Sequence, residues 1–294
     1  IDRPDMYVGS TRNRNTQEYI AKKEKDKYII SKKTIKTSPA ISRIFIEALS
    51  NAIDNVERSK KTDTKCTTIK VNIDIESGLT KIWNDGDIVP IEINEEENCY
   101  NHTMIFGQLL TGSNYDDEEE RIIAGRNGLG IKLCNIFSTE FSVTGCDPVN
   151  SKIFTQKWYN NMKNYDKPII KSYKRKLKGY TEVSWVPDFK QFGLTKYTED
   201  IFNLYRRYVI DAAMLTKIKV YLNDELIPVR NLLQYSNLYS SNTQEKIHIK
   251  NKNSEVVIST SNEFETISFV NGIYTKLGGQ HVDSWSEQIF RPIV

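Results

Sequence analysis

The stretch Gly125-Arg126-Asn127-Gly128-Leu129-Gly130-Ile131-Lys132 holds three glycines within six residues, and an apolar helical pattern follows at Ile131, Leu133, Cys134, Ile136 and Phe137. Glycine lets a backbone turn tightly and come close to a ligand, because no Cβ stands in the way. A helix that starts at such a loop aims free N–H groups and the positive end of its dipole at it, which suits an anion and above all a phosphate chain. Arg126 and Lys132 add cationic donors at the two edges. An ordinary glycine-rich turn has the same appearance. No Gly-Lys-Ser/Thr follows, so the stretch is not a P-loop. A charged segment, 116–121, precedes it where a dinucleotide fingerprint has a buried strand.

Upstream, Glu47, Asn51 and Asn55 recur every fourth residue, and Asp54 stands three places after Asn51. On a helix these side chains share one polar edge. That edge is either a solvated face or a catalytic carboxylate one turn before an amide able to ligate magnesium. The helix that carries it is predicted over 39–58. Ser38 suits its N-cap and Pro39 its first position. Ile41, Ile44, Phe45, Ala48, Leu49, Ala52 and Val56 make its core stripe. A strand at 67–75 alternates apolar and polar residues, and a second follows at 79–83 across Glu76-Ser77-Gly78. Asn84-Asp85-Gly86 comes directly after it. There a polar side chain can stand at a pocket mouth, although the triplet alone signals only a turn.

The remaining elements frame these groups. Residues 1–37 read as a polar, lysine-rich connector with a short strand at 27–30. A short helix is expected at 101–111, strands at 140–144, 152–159, 169–173 and 180–185, a helix at 198–215, and strand, Asn-Asp turn and strand over 217–229. The basic run 171–178 reads as a solvated hairpin edge, or less simply as a phosphate-backbone contact. The composition shifts near 240, which divides the chain into 1–240 and 241–294.

With 294 residues, 38% hydrophobic and 27% charged, the chain can bury a core in one large domain or two ordinary ones. A formal net charge of +3 neither supports nor excludes nucleic-acid binding. Cys66, Cys99, Cys134 and Cys146 lack CxxC spacing, so reduced thiols in an intracellular protein are expected rather than zinc or disulfides. No apolar run approaches the roughly 18 residues that a membrane span needs, and no signal peptide is visible. The chain begins at Ile1 without methionine and reads as a fragment of something longer.

The order of these groups resembles the GHKL (Bergerat-fold) ATPases: a helix with Glu47 and Asn51, a strand leading into Asn84-Asp85-Gly86, then Gly125 to Lys132. The resemblance is closer to the ATPase region of eukaryotic-type, type IIA, DNA topoisomerase II. It rests on Phe-Gly-Gln-Leu-Leu-Thr-x-Ser-Asn-Tyr-Asp-Asp at 106–117 and Gly-Arg-Asn-Gly-x-Gly-x-Lys-Leu-Cys-Asn-Ile-Phe-Ser at 125–138. Arg-Pro-Asp-x-Tyr-x-Gly-Ser at 3–10, Ile-Ser-Phe-Val-Asn at 267–271 and Gly-Gly-x-His-Val-Asp at 278–283 add to it.

The resemblance implies an α+β fold, a mixed sheet backed by helices in two layers, followed by the start of a βαβ transducer. It implies Glu47 as the general base that deprotonates the attacking water and Asn51 as the Mg²⁺ ligand. Asn84 takes the adenine-recognition place, with Thr181 nearby. Ser113 and Asn114 contact ribose or phosphate. Gly125, Arg126, Asn127, Gly128, Leu129, Gly130, Ile131 and Lys132 form a lid over the triphosphate, expected to be mobile without nucleotide. Ile88 and Gly112 depart from the family, which usually has Gly and Ser there. The family's switch loop, Gln-Thr-Lys, is expected beyond Val294, its exchanged N-terminal strap before Ile1, and its DNA-cleaving tyrosine elsewhere in the full protein.

The function so implied is an ATP-driven gate that dimerises and couples hydrolysis to DNA strand passage. DNA is met through the full enzyme, and no membrane is involved. The location is the nucleus in a cell, or host cytoplasm if the source is a large DNA virus, which a composition rich in Ile, Asn, Lys and Tyr suits. A nucleotide-binding clamp with little hydrolysis is the alternative. A histidine kinase fits poorly, since His102, His248 and His281 lie on no acceptor helix.

Overall fold

A computed structural model describes residues 8–108, 129–239, 245–252, 254–261 and 264–291. They fall into two compact units, one holding the described residues up to 239 and the other 245–291.

The first unit opens with β1 (Arg14–Glu24) and β2 (Lys27–Thr37), an antiparallel hairpin in continuous register from Arg14↔Thr37 to Glu24↔Lys27. This corrects the expected connector. The hairpin's apolar residues cluster as Tyr19-Ile20-Ala21 and Tyr28-Ile29-Ile30 and do not alternate, so they carry little strand periodicity. Ile20 and Ile35 nonetheless pack with Leu204 and Tyr208 on a later helix. Helix α1 (Pro39–Ser59) follows, and the Ser38 hydroxyl accepts from the Ile41 amide at 3.3 Å. Its predicted stripe is buried from Ile41 to Val56.

Next come β3 (Thr68–Ile73), β4 (Thr80–Asp85), the short pair β5 (Ile93–Asn94) and β6 (Cys99–Tyr100), and helices α2 (Asn101–Gly107) and α3 (Gly130–Ile136). Strands β7 (Ser138–Asp147), β8 (Lys152–Tyr159), β9 (Asn164–Tyr165), β10 (Ile169–Ser172) and β11 (Tyr180–Pro187) lead to helix α4 (Glu199–Thr216). Strands β12 (Lys219–Leu222) and β13 (Glu225–Leu226) and helix α5 (Leu232–Ser236) end the unit.

Among the described residues one sheet runs in the order β10-β8-β7-β11-β4-β3-β12-β13, with β9 on β8. All its pairs are antiparallel except β12 on β3. The one parallel pair follows from the crossover through α4, because parallel neighbours need a long connection. One sheet face presents the buried Ile69, Val71, Ile82, Phe141, Val143, Phe154 and Trp185. Alternation along each strand makes this possible. Helices α1 and α4 meet at the stacked rings of Phe45 and Tyr205, 4.0 Å apart, and the Tyr205 hydroxyl donates to the Ile41 carbonyl at 2.7 Å.

The second unit holds the hairpin β14 (Lys246–Lys250) and β15 (Glu255–Ser259), the hairpin β16 (Phe269–Val270) and β17 (Ile273–Tyr274), and helix α6 (Gln280–Phe290). Asn271 and Gly272 take positive φ in the second hairpin's turn, the usual two-residue solution. The helix begins at Gln280, directly after Gly278 and Gly279, both at positive φ.

Candidate nucleotide site

Three elements of the first unit converge. Helix α1 supplies Glu47, Asn51 and Asn55. The β4 end supplies Asn84, Asp85 and Gly86. Helix α3 begins at Gly130, where the glycine-rich stretch ends.

Glu47 is partly buried, and its Oε1 forms an ion pair with Arg43 Nη2 one turn earlier. A β-carbon built on Gly130 would overlap Glu47 Oε2 and lie 3.0 Å from the carboxyl carbon. The carboxylate therefore lies directly against the junction of loop and helix. Asn51 is exposed one turn on. Asn55 is buried instead. Its amide donates to the carbonyls of Asp87 (3.0 Å) and Asp85 (3.3 Å), and its Oδ1 accepts from Arg58 at 3.1 Å. Only part of the predicted polar edge thus faces solvent, and Asn55 clamps α1 to the turn after β4.

Asn84 is nearly buried, and its amide donates to the Asp85 carbonyl at 3.1 Å. Thr181 pairs directly with Asn84 across β11 and β4, and Gly145 lies beyond Thr181 on β7. These three positions therefore share one row on the helix-covered face.

Asp85, absent from the sequence-based candidates, is more deeply buried than Asn84. Its Oδ1 accepts from the amides of Thr67 (2.7 Å) and Thr68 (2.9 Å), its Oδ2 from the Thr67 hydroxyl at 2.7 Å, and Lys178 pairs with Oδ2. Burial by itself would raise this carboxyl. The Lys178 ammonium and the Thr67 and Thr68 donors outweigh it and hold the group below the usual carboxylate range. Its acceptors hold the start of β3 and Lys178. Lys178, its side chain still 54% exposed as a solvated lysine, is also the partner of this buried carboxylate.

Gly86 has φ +106, and a β-carbon there would lie 2.7 Å from the N, Cα and Cβ of Cys66. Ile88 lies against Gly179 ahead of β11.

On α3, Leu129 precedes the first turn in ordinary helical backbone. The Ile131 side chain is buried in the core, so only its backbone is left to face a ligand. Lys132 is 1% exposed, and burial pushes its ammonium below the usual lysine range. Ser113, Asn114, Gly125, Arg126, Asn127 and Gly128, and with them the expectation of lid mobility, lie outside the described residues. A hard cation that keeps most of its waters needs few protein ligands. Asn51 offers a single exposed amide oxygen, and the described residues contain no cluster of three or more His, Cys, Asp or Glu.

No family model matches the chain. The DNA topoisomerase 2 of Invertebrate iridescent virus 6 is 40% identical over 307 residues, spanning 98% of this chain and 26% of that relative. That of Saccharomyces cerevisiae is 38% identical over the whole chain and 22% of the relative. The chain thus spans about a quarter of the length of the curated relatives it matches. The crystal structure of the ATPase region of Saccharomyces cerevisiae topoisomerase II superposes with a TM-score of 0.90. It is 39% identical, over 99% of this chain and 76% of that one.

The chain belongs to the family of type II topoisomerase ATPase regions.

The ATPase and transducer domains of topoisomerase II from Balamuthia mandrillaris are similar too, with a TM-score of 0.89 and 32% identity over 99% of this chain and 74% of that one. The 43K ATPase domain of Thermus thermophilus gyrase B, at 17% identity and a TM-score of 0.65, shares the fold. Within the topoisomerase II family this chain keeps the GHKL architecture of helices over one face of a mixed sheet. Its four cysteines are unpaired thiols. No helix among the described residues is long and apolar enough to cross a membrane.

Proposed function

We propose that this chain binds and hydrolyses ATP as the N-terminal gate of a type II DNA topoisomerase. The observation that carries the reading is the juxtaposition of Glu47 with Gly130, which sets this α1 carboxylate against the end of the glycine-rich stretch. Phosphoryl transfer asks a protein mainly for position and charge. Glu47 takes a proton from water as the water oxygen bonds to the γ-phosphorus. The bond from that phosphorus to the β,γ-bridging oxygen breaks, leaving ADP and phosphate.

Asn84 and Thr181, paired across the sheet, receive the adenine. Ser113 and Asn114 serve ribose or phosphate, and the backbone of Gly125 to Lys132 covers the triphosphate. Asn51 would hold a magnesium ion, which would supply neutralisation of phosphate charge. Closure of two such gates drives strand passage through DNA held by the full enzyme, in the nucleus or, for a viral source, in host cytoplasm. Residues 241–294 begin the transducer.

Calorimetry with a non-hydrolysable ATP analogue, with and without magnesium, tests the site together with turnover. Magnesium-dependent binding weakened by Asn51→Ala, with Glu47→Ala binding normally but failing to turn over, is the expected result. Binding without turnover in the unmodified chain would make it a nucleotide clamp. Absence of binding would overturn the site as drawn.

A further inference from the structure

Arg43 stands one helical turn before Glu47 on α1, and the two carboxylate oxygens of Glu47 have separate neighbours. Oε1 is engaged by Arg43 Nη2, while Oε2 lies against Gly130 at the loop–helix junction. The pair does little for stability. The Arg43 side chain is 55% exposed, and a cation placed before the carboxylate at this spacing is the weaker order on a helix. Its consequence is orientational. A long glutamate side chain has several rotamers, and a guanidinium bound to one oxygen selects among them. Orientation matters here because Glu47 is the carboxylate set against the glycine-rich loop.

We propose that Arg43 is a positioning residue for hydrolysis. It holds Oε1 so that Oε2 is the oxygen presented to the attacking water. The inference rests on Glu47 being the general base. Arg43 itself touches neither nucleotide nor water. A misdirected base slows the chemical step without weakening substrate binding.

The test compares ATP turnover and analogue affinity in the full 294-residue chain with Arg43→Ala, Arg43→Lys, Glu47→Ala and the double variant Arg43→Ala/Glu47→Ala. Arg43→Ala is expected to lower kcat on the order of a hundredfold, with KM and analogue affinity changed by less than about twofold. Arg43→Lys recovers most of the rate, because an ammonium there still donates to Oε1. The double variant is no slower than Glu47→Ala, because the arginine acts only through that carboxylate. Unchanged turnover in Arg43→Ala, loss of affinity together with rate, or no recovery by lysine would each overturn the proposal. Absence of turnover in the unmodified chain would defeat the general-base reading and this proposal with it, and that outcome shows in the unmodified protein alone.

Discussion

Gly130 and Glu47 are in contact across α3 and α1, so closely that no β-carbon fits between them. Gly130 opens a helix without a positive φ, so its backbone accepts alanine without strain. The nearest obstacle is the Glu47 carboxylate. Gly130→Ala is therefore expected to leave the thermal midpoint nearly unchanged, within about 1 kcal/mol. The displaced carboxylate should slow ATP turnover by on the order of tenfold or more. Calorimetric melting beside steady-state kinetics checks both. A variant that melts early yet turns over normally would show that the glycine serves packing alone.

Asn84 and Asp85 are adjacent yet differently committed. The Asp85 carboxylate spends its acceptors on Thr67, Thr68 and Lys178, whereas among the described residues the Asn84 amide donates only to the neighbouring carbonyl. Asp85→Ala leaves the part-buried Thr67 and Thr68 donors without their acceptor and should cost about 1–3 kcal/mol in urea unfolding. Asn84→Ala should cost less than about 1 kcal/mol of stability but weaken binding of adenine nucleotides. Measuring both quantities on both variants separates the roles, and the reverse pattern would mean that adenine is read by Asp85.

His102 on α2 is fully buried. Its ring stacks on Phe154 with centroids 4.6 Å apart, and a β-carbon at Gly145 would lie 3.1 Å from its Cδ2 and Cε1. Neither ring nitrogen has a hydrogen-bond partner among the described residues. Burial lowers this imidazole to about 4, against an opposing pull from Asp147. The unfolded chain takes up the proton near the ordinary value of 6.5, whereas the folded chain does so only near 4. The stabilisation from keeping the ring neutral is thus complete above pH 6.5 and is lost as pH falls toward 4, by roughly 3 kcal/mol. His102→Phe should remove that component. The difference between the two unfolding free energies, followed from pH 7 to pH 4, isolates it from the carboxylates that also titrate in acid. A constant difference would refute the assignment.

Arg207 and Asp211 form a buried ion pair on α4 at 3.0 Å, and Asp211 also accepts from the Tyr235 hydroxyl at 2.6 Å. Removing one partner strands the other charge in the core. Asp211→Ala should cost about 3–5 kcal/mol, and the paired change Arg207→Met with Asp211→Leu much less. Equilibrium denaturation of both variants checks this. Equal losses would mean that the pair specifies the packing of α4 against α5 and does not merely satisfy itself.

Much of the architecture was legible in the residue pattern because periodicity reports burial directly. Helix α1 keeps its predicted cap and stripe, and α3 buries the apolar set that follows the glycines. Strands β3, β4, β7, β8 and β11 lie where alternation put them. The β1–β2 hairpin was not legible, since its clustered apolar residues do not alternate to mark a face, and Ile20 and Ile35 gain Leu204 and Tyr208 only from α4. The Arg43–Glu47 pair carried a local signal, four-residue spacing of opposite charges, that could have been read.

The sequence by itself determined which elements form and which residue types could handle a phosphate chain, because both depend on local spacing and side-chain chemistry. Only the tertiary structure decided how neighbours divide their work. Asn84, also buried, bonds only locally to the Asp85 carbonyl among the described residues, while Asp85 is consumed by Thr67, Thr68 and Lys178, partners 17 to 93 positions away. Asn51 faces solvent, whereas Asn55 on the same edge turns inward to the Asp85 and Asp87 carbonyls. Gly130 reaches Glu47 across more than eighty residues of chain. Such contacts depend on where distant segments come to rest in the fold, and no local pattern records that.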